Sequence, residues 1–358
     1  MLNFTVGPVQ TFDEVKKVGA EDVPYFRTPE FSAVVKDCER LLKKFLHADE
    51  NARALLLTGS GTFAMEASVT NLFTASDKLL VVNGGSFGAR FAEICRIHAI
   101  PHEEIRLPAG KTLRAEDLVP YENRGFTGFL VNVDETSTGV WYDLDLIGAF
   151  CKRNGLILVV DAISSFLADP LDMLACGADC VMIGSQKALA LAPGLSIVVL
   201  SPRAVKRVEN SATFSLYMDL KAALTNGERG QTPFTPAVGT ILQLAARLNS
   251  IDRVGVEAEQ KRIAALAADF REKVKALPFT VFSDRLSNAV TPLFVQGKCA
   301  YRIFEILKDE YGMWVCPNGG ALKEDVFRVG HLGNLTEKDN DRLIAALLDL
   351  KKRGVLGE

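Results

Sequence analysis

The sequence predicts an α/β fold in which a mainly parallel β-sheet has helices on both faces, followed by a smaller C-terminal α+β domain. The first observation is a series of short, almost wholly apolar runs, the pattern of strands buried on both faces of a parallel sheet. The second is the amphipathic stretches between these runs, because the helices that connect parallel strands have one apolar face. The third is a change of pattern near Pro236, after which short strands and long helices mix.

Six apolar runs in the first two thirds of the chain have the length and composition of buried strands. They are residues 54–57, 79–83, 128–133, 156–160, 180–183 and 196–200. Helical periodicity separates several of them, at residues 62–73, 87–98 and 144–153. This alternation predicts consecutive strand–helix–strand units and therefore one sheet.

Beyond Pro236 the chain begins with two long helical patterns, over residues 237–249 and 256–277. Shorter elements follow, with strands at 279–283, 313–316 and 325–329 and helices at 301–310 and 337–352. We therefore expect an N-terminal segment of residues 1–20, a large domain of residues 21–245 and a small domain of residues 246–358.

Composition narrows the possible partners. The 358 residues include 41 lysines and arginines and 44 aspartates and glutamates, so the formal net charge is −3 and neither nucleic acid nor an anionic membrane is an expected partner. The longest apolar run, residues 188–200, is interrupted by Pro193 and Gly194 and is shorter than the roughly 20 residues of a membrane helix. The first residues lack a basic stretch before an apolar core, so we expect a cytoplasmic protein.

Neither the cysteines nor the histidines form a metal-binding pattern. The seven cysteines are scattered and include no CxxC pair, which indicates reduced thiols. The four histidines include no HExxH motif, and Pro101 between His98 and His102 argues against a shared helical face. We expect no metal site.

A glycine-rich turn, Leu57-Thr-Gly-Ser-Gly-Thr62, joins the first predicted strand to a helix. Free N–H groups at the start of a helix favour a phosphate, and Ser60 and Thr62 add hydroxyl groups. The glycines and Ala64 also match the loose dinucleotide pattern G-x-G-x-x-A, but residues 80–86 lack the acidic residue that this pattern requires. A phosphate site and a simple capped turn are the two interpretations left.

Two charged residues stand at the ends of the next predicted strands. Asp161 either caps a helix or pairs with a buried cation. Lys187 is either an imine-forming amine or a lysine that extends to solvent. A phosphate cradle, a carboxylate and an amine 26 residues later together meet the needs of pyridoxal phosphate, whose phosphate, pyridine nitrogen and aldehyde require these three groups.

Nine short segments occur in the order in which one known family has them. They are Val6-Gly-Pro8, Phe26-Arg-Thr-Pro-Glu-Phe31, Gly59-Ser-Gly-Thr62, Gly85-Ser-Phe-Gly88, Glu135-Thr-Ser-Thr-Gly139, Asp161-Ala-Ile-Ser-Ser165, Ser185-Gln-Lys187, Phe234-Thr-Pro236 and Phe327-Arg-Val-Gly330. In these segments the sequence resembles the class V aminotransferases, pyridoxal phosphate enzymes of fold type I. The branch is that of alanine- or serine-glyoxylate aminotransferase and 2-aminoethylphosphonate–pyruvate transaminase.

The resemblance implies roles for individual residues. Lys187 corresponds to the Schiff-base lysine and Asp161 to the partner of the pyridinium nitrogen. The other implied cofactor positions are Ser60, Gly61, Thr62 and Gln186 at the phosphate, Phe87 over the ring, Ile163 under it, Thr136 at the ring hydroxyl, and Thr235 at the phosphate of the neighbouring subunit. Thr235 thus implies a homodimer with shared active sites.

The resemblance also implies how substrates bind. Arg328 corresponds to the arginine that grips a substrate carboxylate with two hydrogen bonds, and Arg27 and Tyr25 correspond to the entrance. The alternative interpretations are a core aromatic for Phe87, a surface arginine for Arg328 and a solvated face for the entrance pair. The sequence departs from many relatives at Val133, where they have a histidine. The turn at residues 83–87 is one glycine longer than the shorter family form, so the alignment rests on Phe87 and Gly88.

The reaction implied is transfer of an amino group from a small amino acid, of the alanine or serine type, to pyruvate or glyoxylate. Ping-pong kinetics follow, with the freed Lys187 amine as general base. 2-Aminoethylphosphonate is the alternative donor, but its phosphonate needs a cation besides Arg328, and Arg27 is the only other candidate in these segments. A cysteine desulfurase-like lyase is a remoter alternative that would depend on Cys316. A non-enzymatic protein on this fold would be expected to lose Lys187 or Asp161, and a nicotinamide dehydrogenase would lack an imine absorbance band.

Overall fold

The structure, a computed structural model, describes residues 1–212 and 215–356. The strands in these residues are β1 (Leu2–Asn3), β2 (Arg53–Thr58), β3 (Leu79–Asn83), β4 (His102–Arg106), β5 (Gly128–Asn132), β6 (Asp134–Glu135), β7 (Val140–Trp141), β8 (Ile157–Asp161), β9 (Cys180–Gly184), β10 (Leu195–Leu200), β11 (Phe279–Val281), β12 (Val290–Val295), β13 (Met313–Trp314), β14 (Cys316–Pro317) and β15 (Val326–Gly330). The α-helices are α1 (Asp13–Gly19), α2 (Pro29–Phe45), α3 (Gly61–Leu72), α4 (Ser86–Ile97), α5 (Ala115–Leu118), α6 (Leu144–Asn154), α7 (Met173–Cys176), α8 (Pro202–Glu209), α9 (Leu220–Gly227), α10 (Val238–Val254), α11 (Val256–Lys273), α12 (Ala300–Tyr311) and α13 (Glu337–Lys352).

The central sheet contains every strand predicted from the six apolar runs. Its seven strands in the described residues have the order β2-β10-β9-β8-β5-β3-β4. The neighbours from β9 to β4 run parallel, whereas β10 is antiparallel to both β2 and β9. The predicted mainly parallel sheet is thus confirmed, with β10 as its reversed strand. The edge strand β4 was not predicted, because its sequence His-Glu-Glu-Ile-Arg is polar.

The apolar runs are continuous because each central strand is buried on both faces. In β8, Val159 packs into the core that also contains apolar residues of α3 and α4, while Val160 packs into the opposite core with residues of α2 and α6. Alternate residues of a strand point to opposite faces, so both sets must be apolar. This sandwich of sheet between helices fixes the strand ends that surround the site described below.

The C-terminal part forms a second layer structure, as predicted. A four-stranded antiparallel sheet of order β11-β12-β15-β14 packs with α11, α12 and α13 around a third apolar core. The first residues of the chain join this part, because β1 pairs with β13 and Phe4 belongs to the third core. Residue 245, the expected boundary between the domains, lies inside the continuous helix α10. Among the described residues no helix is long and apolar enough to cross a membrane.

Candidate active site

A cleft of about 510 Å³ opens at the carboxyl ends of the central strands. It is lined by Ser60, Gly61, Thr62, Met65, Phe87, Arg90, Asp134, Thr136, Asp161, Ile163, Ser164, Gln186 and Lys187. Nine of the ten predicted cofactor residues are in this set, and Thr235 is the exception. The carboxyl edge of an open α/β sheet is where such folds bind ligands, so the position of the cleft agrees with the sheet topology.

One end of the cleft is suited to an anion. Ser60 caps α3, and its hydroxyl accepts a hydrogen bond from the Phe63 N–H at 3.4 Å. Arg90 donates from Nη1 to the Thr62 hydroxyl at 3.1 Å, and its guanidinium lies 4.8 Å from the centre of the Phe87 ring. A helix N-terminus and an arginine therefore meet at this end, and both favour a phosphate. The sequence reasoning missed Arg90, although its spacing from Phe87 by three residues on α4 was a usable signal.

Gly61 allows the two sides of the cleft to approach closely. A Cβ atom at this position would lie 2.5 Å from Cδ1 of Ile163, a distance that real Cβ contacts do not show. Ile163 follows β8 and Gly61 begins α3, so the glycine sets how near the turn after β8 comes to the anion end. A flat ring placed on Ile163 would lie beside the helix N-terminus.

Asp161 is a buried carboxylate at the end of β8. Its Oδ1 accepts a hydrogen bond from the Ile163 N–H at 2.9 Å, and in the described residues Oδ2 accepts none. Burial raises the pKa of Asp161 to about 6, against the opposing effect of the Ile163 N–H. No described helix begins directly after Asp161, so the carboxylate is not a helix cap and its second oxygen is available to a cationic group.

Lys187 follows β9, and its side chain runs along the backbone of Gly7. A Cβ atom at Gly7 would lie 2.7 Å from Cδ and 3.2 Å from Cε of Lys187, and Gly7 has a φ of +126°. Burial lowers the pKa of the ε-amine, which favours the neutral, nucleophilic form. The contact gives a physical reason for the Val6-Gly-Pro8 segment, to which the sequence reasoning gave no role.

Buried hydrogen bonds fix the walls of the cleft. Glu135 is buried and accepts hydrogen bonds from the N–H groups of Gly88 at 2.9 Å and Phe87 at 3.2 Å, which holds the turn before α4. The hydroxyls of Thr136 and Ser164 lie 2.7 Å apart on the opposite wall. Glu135, Ser164 and Asp134 were not predicted as site residues. Asp134 and Ser164 line the cleft only because the strand order brings their segments together.

Arg328, in β15, contacts the backbone of Thr136, a residue that lines the cleft. Its Nη1 donates to the Thr136 carbonyl at 2.8 Å and its Nη2 to the Pro317 carbonyl at 2.8 Å, while Nε is buried without a hydrogen-bond partner. The guanidinium is close enough to help lower the pKa of Lys187. Two of its five N–H groups therefore fix its plane near the lysine, so Arg328 is not a solvated surface arginine.

Besides Arg328, three predicted residues are not among those that line the cleft of a single chain. Thr235 lines a separate depression with Tyr217 and Phe234. Arg27 donates to the Gln231 side chain at 3.1 Å and to the Thr232 carbonyl at 2.9 Å, close to the same surface in sequence. The third, a tyrosine at position 25, is 68% exposed. The roles of these three residues stay predictions. Thr235 is expected to act in the neighbouring subunit, and Arg27 and Tyr25 are expected at the entrance.

The residues of the cleft fit pyridoxal phosphate. The anion end offers the α3 N-terminus and Arg90 to a phosphate, and Phe87 and Ile163 would hold the ring. The Asp161 oxygen that accepts no hydrogen bond in the described residues would pair with a protonated ring nitrogen. Lys187 supplies the amine. These groups have the donor, acceptor and charge properties that the cofactor needs.

Comparison with known proteins agrees with this chemistry. The sequence pattern of the family described as Aminotransferase class-V matches residues 25–318. A protein named soluble hydrogenase, small subunit, from Synechococcus sp. is 32% identical over 328 residues, which are 90% of this chain and 85% of that one. The L-aspartate–glyoxylate aminotransferase of Paracoccus denitrificans is 30% identical over 346 residues, 93% of this chain and 87% of that one.

A solved structure gives the same result. The aspartate aminotransferase of subgroup IV from Thermus thermophilus superposes with a TM-score of 0.92 at 29% identity, and the match covers 99% of each chain. The family match, the fold type I architecture and the fit of the cleft to the cofactor all lead to one assignment. The chain belongs to the class V aminotransferases, and it is a pyridoxal phosphate-dependent transaminase.

Proposed function

We propose that this enzyme moves an amino group from a small amino acid, of the alanine or serine type, to pyruvate or glyoxylate by a ping-pong mechanism. The observation that carries the proposal is that the buried Lys187 amine lies near one arginine, Arg328, which keeps N–H groups without a partner. In this proposal Lys187 transfers a proton and Arg328 binds one carboxylate. A small amino acid with a single carboxylate meets both requirements.

Lys187 performs the proton chemistry. Pyridoxal phosphate, when bound, supplies an aldehyde that joins this lysine and a ring that withdraws electrons from the donor's α-carbon. Burial lowers the pKa of the amine, which favours the neutral form of Nζ, and in that form Nζ removes the α-proton of the donor as a general base. Gly7 supports the reaction indirectly, since its missing side chain leaves the space in which the lysine stem lies.

Arg328 orients the substrate. Two carbonyls already fix the guanidinium plane, which leaves Nε and the second hydrogens of both Nη atoms for a carboxylate. In the described residues the cationic side chains that line the cleft or act on Lys187 are Arg90 and Arg328, and Arg90 is directed to Thr62. A second anionic group on the donor therefore has no further arginine, which favours alanine or serine over 2-aminoethylphosphonate.

The experiment is a panel of donors and acceptors on the holoenzyme. We expect kcat/KM to be highest for alanine or serine with pyruvate or glyoxylate. Aspartate belongs in the panel because a relative is named for aspartate and glyoxylate. A preference of about tenfold or more for aspartate or the phosphonate, roughly 1.4 kcal/mol of transition-state free energy, would contradict the proposed donor. Release of sulfur from cysteine without an oxo-acid acceptor would instead indicate the lyase alternative.

Shared sites in a homodimer are part of the proposal. The surface around Thr235 carries the half-exposed rings of Tyr217 and Phe234, stacked with centroids 5.7 Å apart. Exposed aromatic clusters of this kind are typical of interfaces between proteins. Thr235 would then reach the anion end of the partner subunit's cleft, and this is tested by the subunit mixing described in the Discussion.

A further inference from the structure

Asp134 is a buried carboxylate of the cleft that has no role in the chemistry above. It lies in the short strand β6, is 4% exposed and lines the cleft with Lys187. Neither of its carboxylate oxygens has a hydrogen-bond partner, whereas the next residue, Glu135, accepts several. An ionised carboxylate buried in this way is costly unless a nearby cation offsets the lost hydration.

Few of the groups around Asp134 can offset the cost of burying its negative charge. Burial raises its pKa well above the ordinary value, and the charges of Asp169 and Glu135 act in the same direction, while Lys187 and the Ser287 hydroxyl oppose them. The Ser287 hydroxyl, however, donates to Asp169 at 2.5 Å.

Another cation, Arg271, is near both Asp134 and Asp169. Its Nε donates to Thr291 at 2.9 Å, and its Nη2 donates to backbone carbonyls, including that of Val290 at 3.2 Å. Nε and Nη2 of Arg271 are therefore engaged with groups other than Asp134. Arg90 and Lys187 both line the cleft with Asp134, and of these two cations it is Lys187 whose charge acts on the Asp134 carboxylate.

The pKa of Lys187 is in turn affected by the charge of Asp134. Burial lowers its pKa and Arg328 adds to that effect, whereas Cys316, Asp134 and Asp161 favour the charged amine. Of the two carboxylates, Asp134 has the larger influence. Asp161 is also partly committed, because one of its oxygens is held by the Ile163 N–H.

We propose that Asp134 is the counter-anion of the Lys187 nitrogen, both as a free ammonium and when that nitrogen is joined to pyridoxal phosphate. The proton balance is closed within the pair: when Nζ gives up its proton, the Asp134 carboxylate accepts it, so an ammonium and a carboxylate become an amine and a carboxylic acid. Keeping the nitrogen protonated at neutral pH makes the carbon bonded to it more electrophilic toward an incoming donor amine. The inference rests on Lys187 as the cofactor lysine and is independent of the donor.

The test is a spectrophotometric pH titration of the holoenzyme, which follows the absorbance of the cofactor bound to Lys187. An opposite charge within about 4–6 Å shifts a pKa by roughly 1–3 units. We therefore expect Asp134→Asn to lower the apparent pKa of the chromophore by at least about one unit, a tenfold loss of proton affinity. Asp134→Glu, which keeps the charge, should recover most of the shift.

Asp169→Asn is the matched control, because Asp169 is a buried carboxylate nearby that does not act directly on Lys187. We expect its chromophore to shift less than that of Asp134→Asn, because Asp169 acts on the nitrogen only through Asp134. An unchanged pKa in Asp134→Asn, or equal shifts in Asp134→Asn and Asp169→Asn, would overturn the role of Asp134. A chromophore that survives in Lys187→Ala would instead overturn the assignment of the cofactor lysine.

A second measurement covers variants that fold without binding the cofactor. In the cofactor-free enzyme, the pH dependence of competitive labelling of Lys187 by acetic anhydride reports the pKa of its amine. Removing a counter-anion should lower this pKa in Asp134→Asn and in the smaller variant Asp134→Ser. If neither variant shifts it relative to the wild type, the proposal is wrong.

Discussion

Gly7→Ala should disable the enzyme through Lys187 while leaving the fold intact. The new Cβ would stand 2.7 Å from Cδ of Lys187 and 2.9 Å from the Gln186 carbonyl, so the lysine stem must move by about 0.7 Å to reach an ordinary contact distance of 3.4 Å. The amine at the end of the stem moves at least as far. A misplacement of about 1 Å at a reacting group costs roughly 100-fold in rate, so we expect turnover to fall by about that factor.

The same substitution also strains the backbone, and this effect has to be separated. At a φ of +126°, an alanine at position 7 costs on the order of 1–3 kcal/mol of unfolding free energy. Gly125→Ala is the matched control, because Gly125 has a φ of +71° with no atom within 4 Å of the added Cβ. We expect both variants to lose stability in urea unfolding, while only Gly7→Ala loses turnover and binds the cofactor with an altered absorbance. Full activity in Gly7→Ala, or an equal loss in Gly125→Ala, would refute the reasoning.

Four further predictions concern Lys187, Asp161 and Thr235. Lys187→Ala should lose all turnover with the fold retained, because the cleft lining in the described residues holds no second lysine to replace the amine. Borohydride reduction of the wild type followed by peptide mapping should label Lys187. A label on another lysine would contradict the assignment. Asp161→Asn should keep some cofactor but lose most of the rate, because a ring without an anion beside its nitrogen withdraws electrons poorly; near-normal turnover would exclude this role. Burial raises the pKa of Asp161 to about 6, so ionisation of this carboxyl opposes folding. As the pH rises from about 4 to about 6, the unfolding free energy of the cofactor-free wild type, measured in urea relative to Asp161→Asn, should fall by at most roughly 3 kcal/mol. An increase over this pH range would contradict the prediction. Mixing an inactive Lys187 variant with an impaired Thr235 variant should restore activity through heterodimers with one intact site, and a fully active monomer would contradict shared sites.

Local patterns were sufficient for much of the fold. The strands β5, β8 and β9 were predicted nearly to their ends because burial on both faces forces continuous apolar runs. The edge strand β4 was missed because its polar side chains show no such run, and β12 because Pro292 interrupts it. In both cases pairing with a neighbouring strand, rather than local preference, makes the strand.

In the active site, too, some residues could be predicted from local sequence patterns, whereas others depend on contacts between distant segments. The glycine-rich turn, Asp161 and Lys187 could be predicted from the amino-acid sequence, because each stands where an apolar run ends and its residue types indicate the chemistry. Segment order then identified the family, which the comparisons confirm.

Contacts between distant segments become visible in the folded chain alone. The tertiary structure directs Arg90 to Thr62, packs Gly7 against the lysine stem and brings Asp134 into the cleft with Lys187. It also reverses β10 between β2 and β9. The physical reason is that periodicity records whether a residue is buried, whereas its partners are set by strand order and direction, which arise from contacts between segments far apart in the chain.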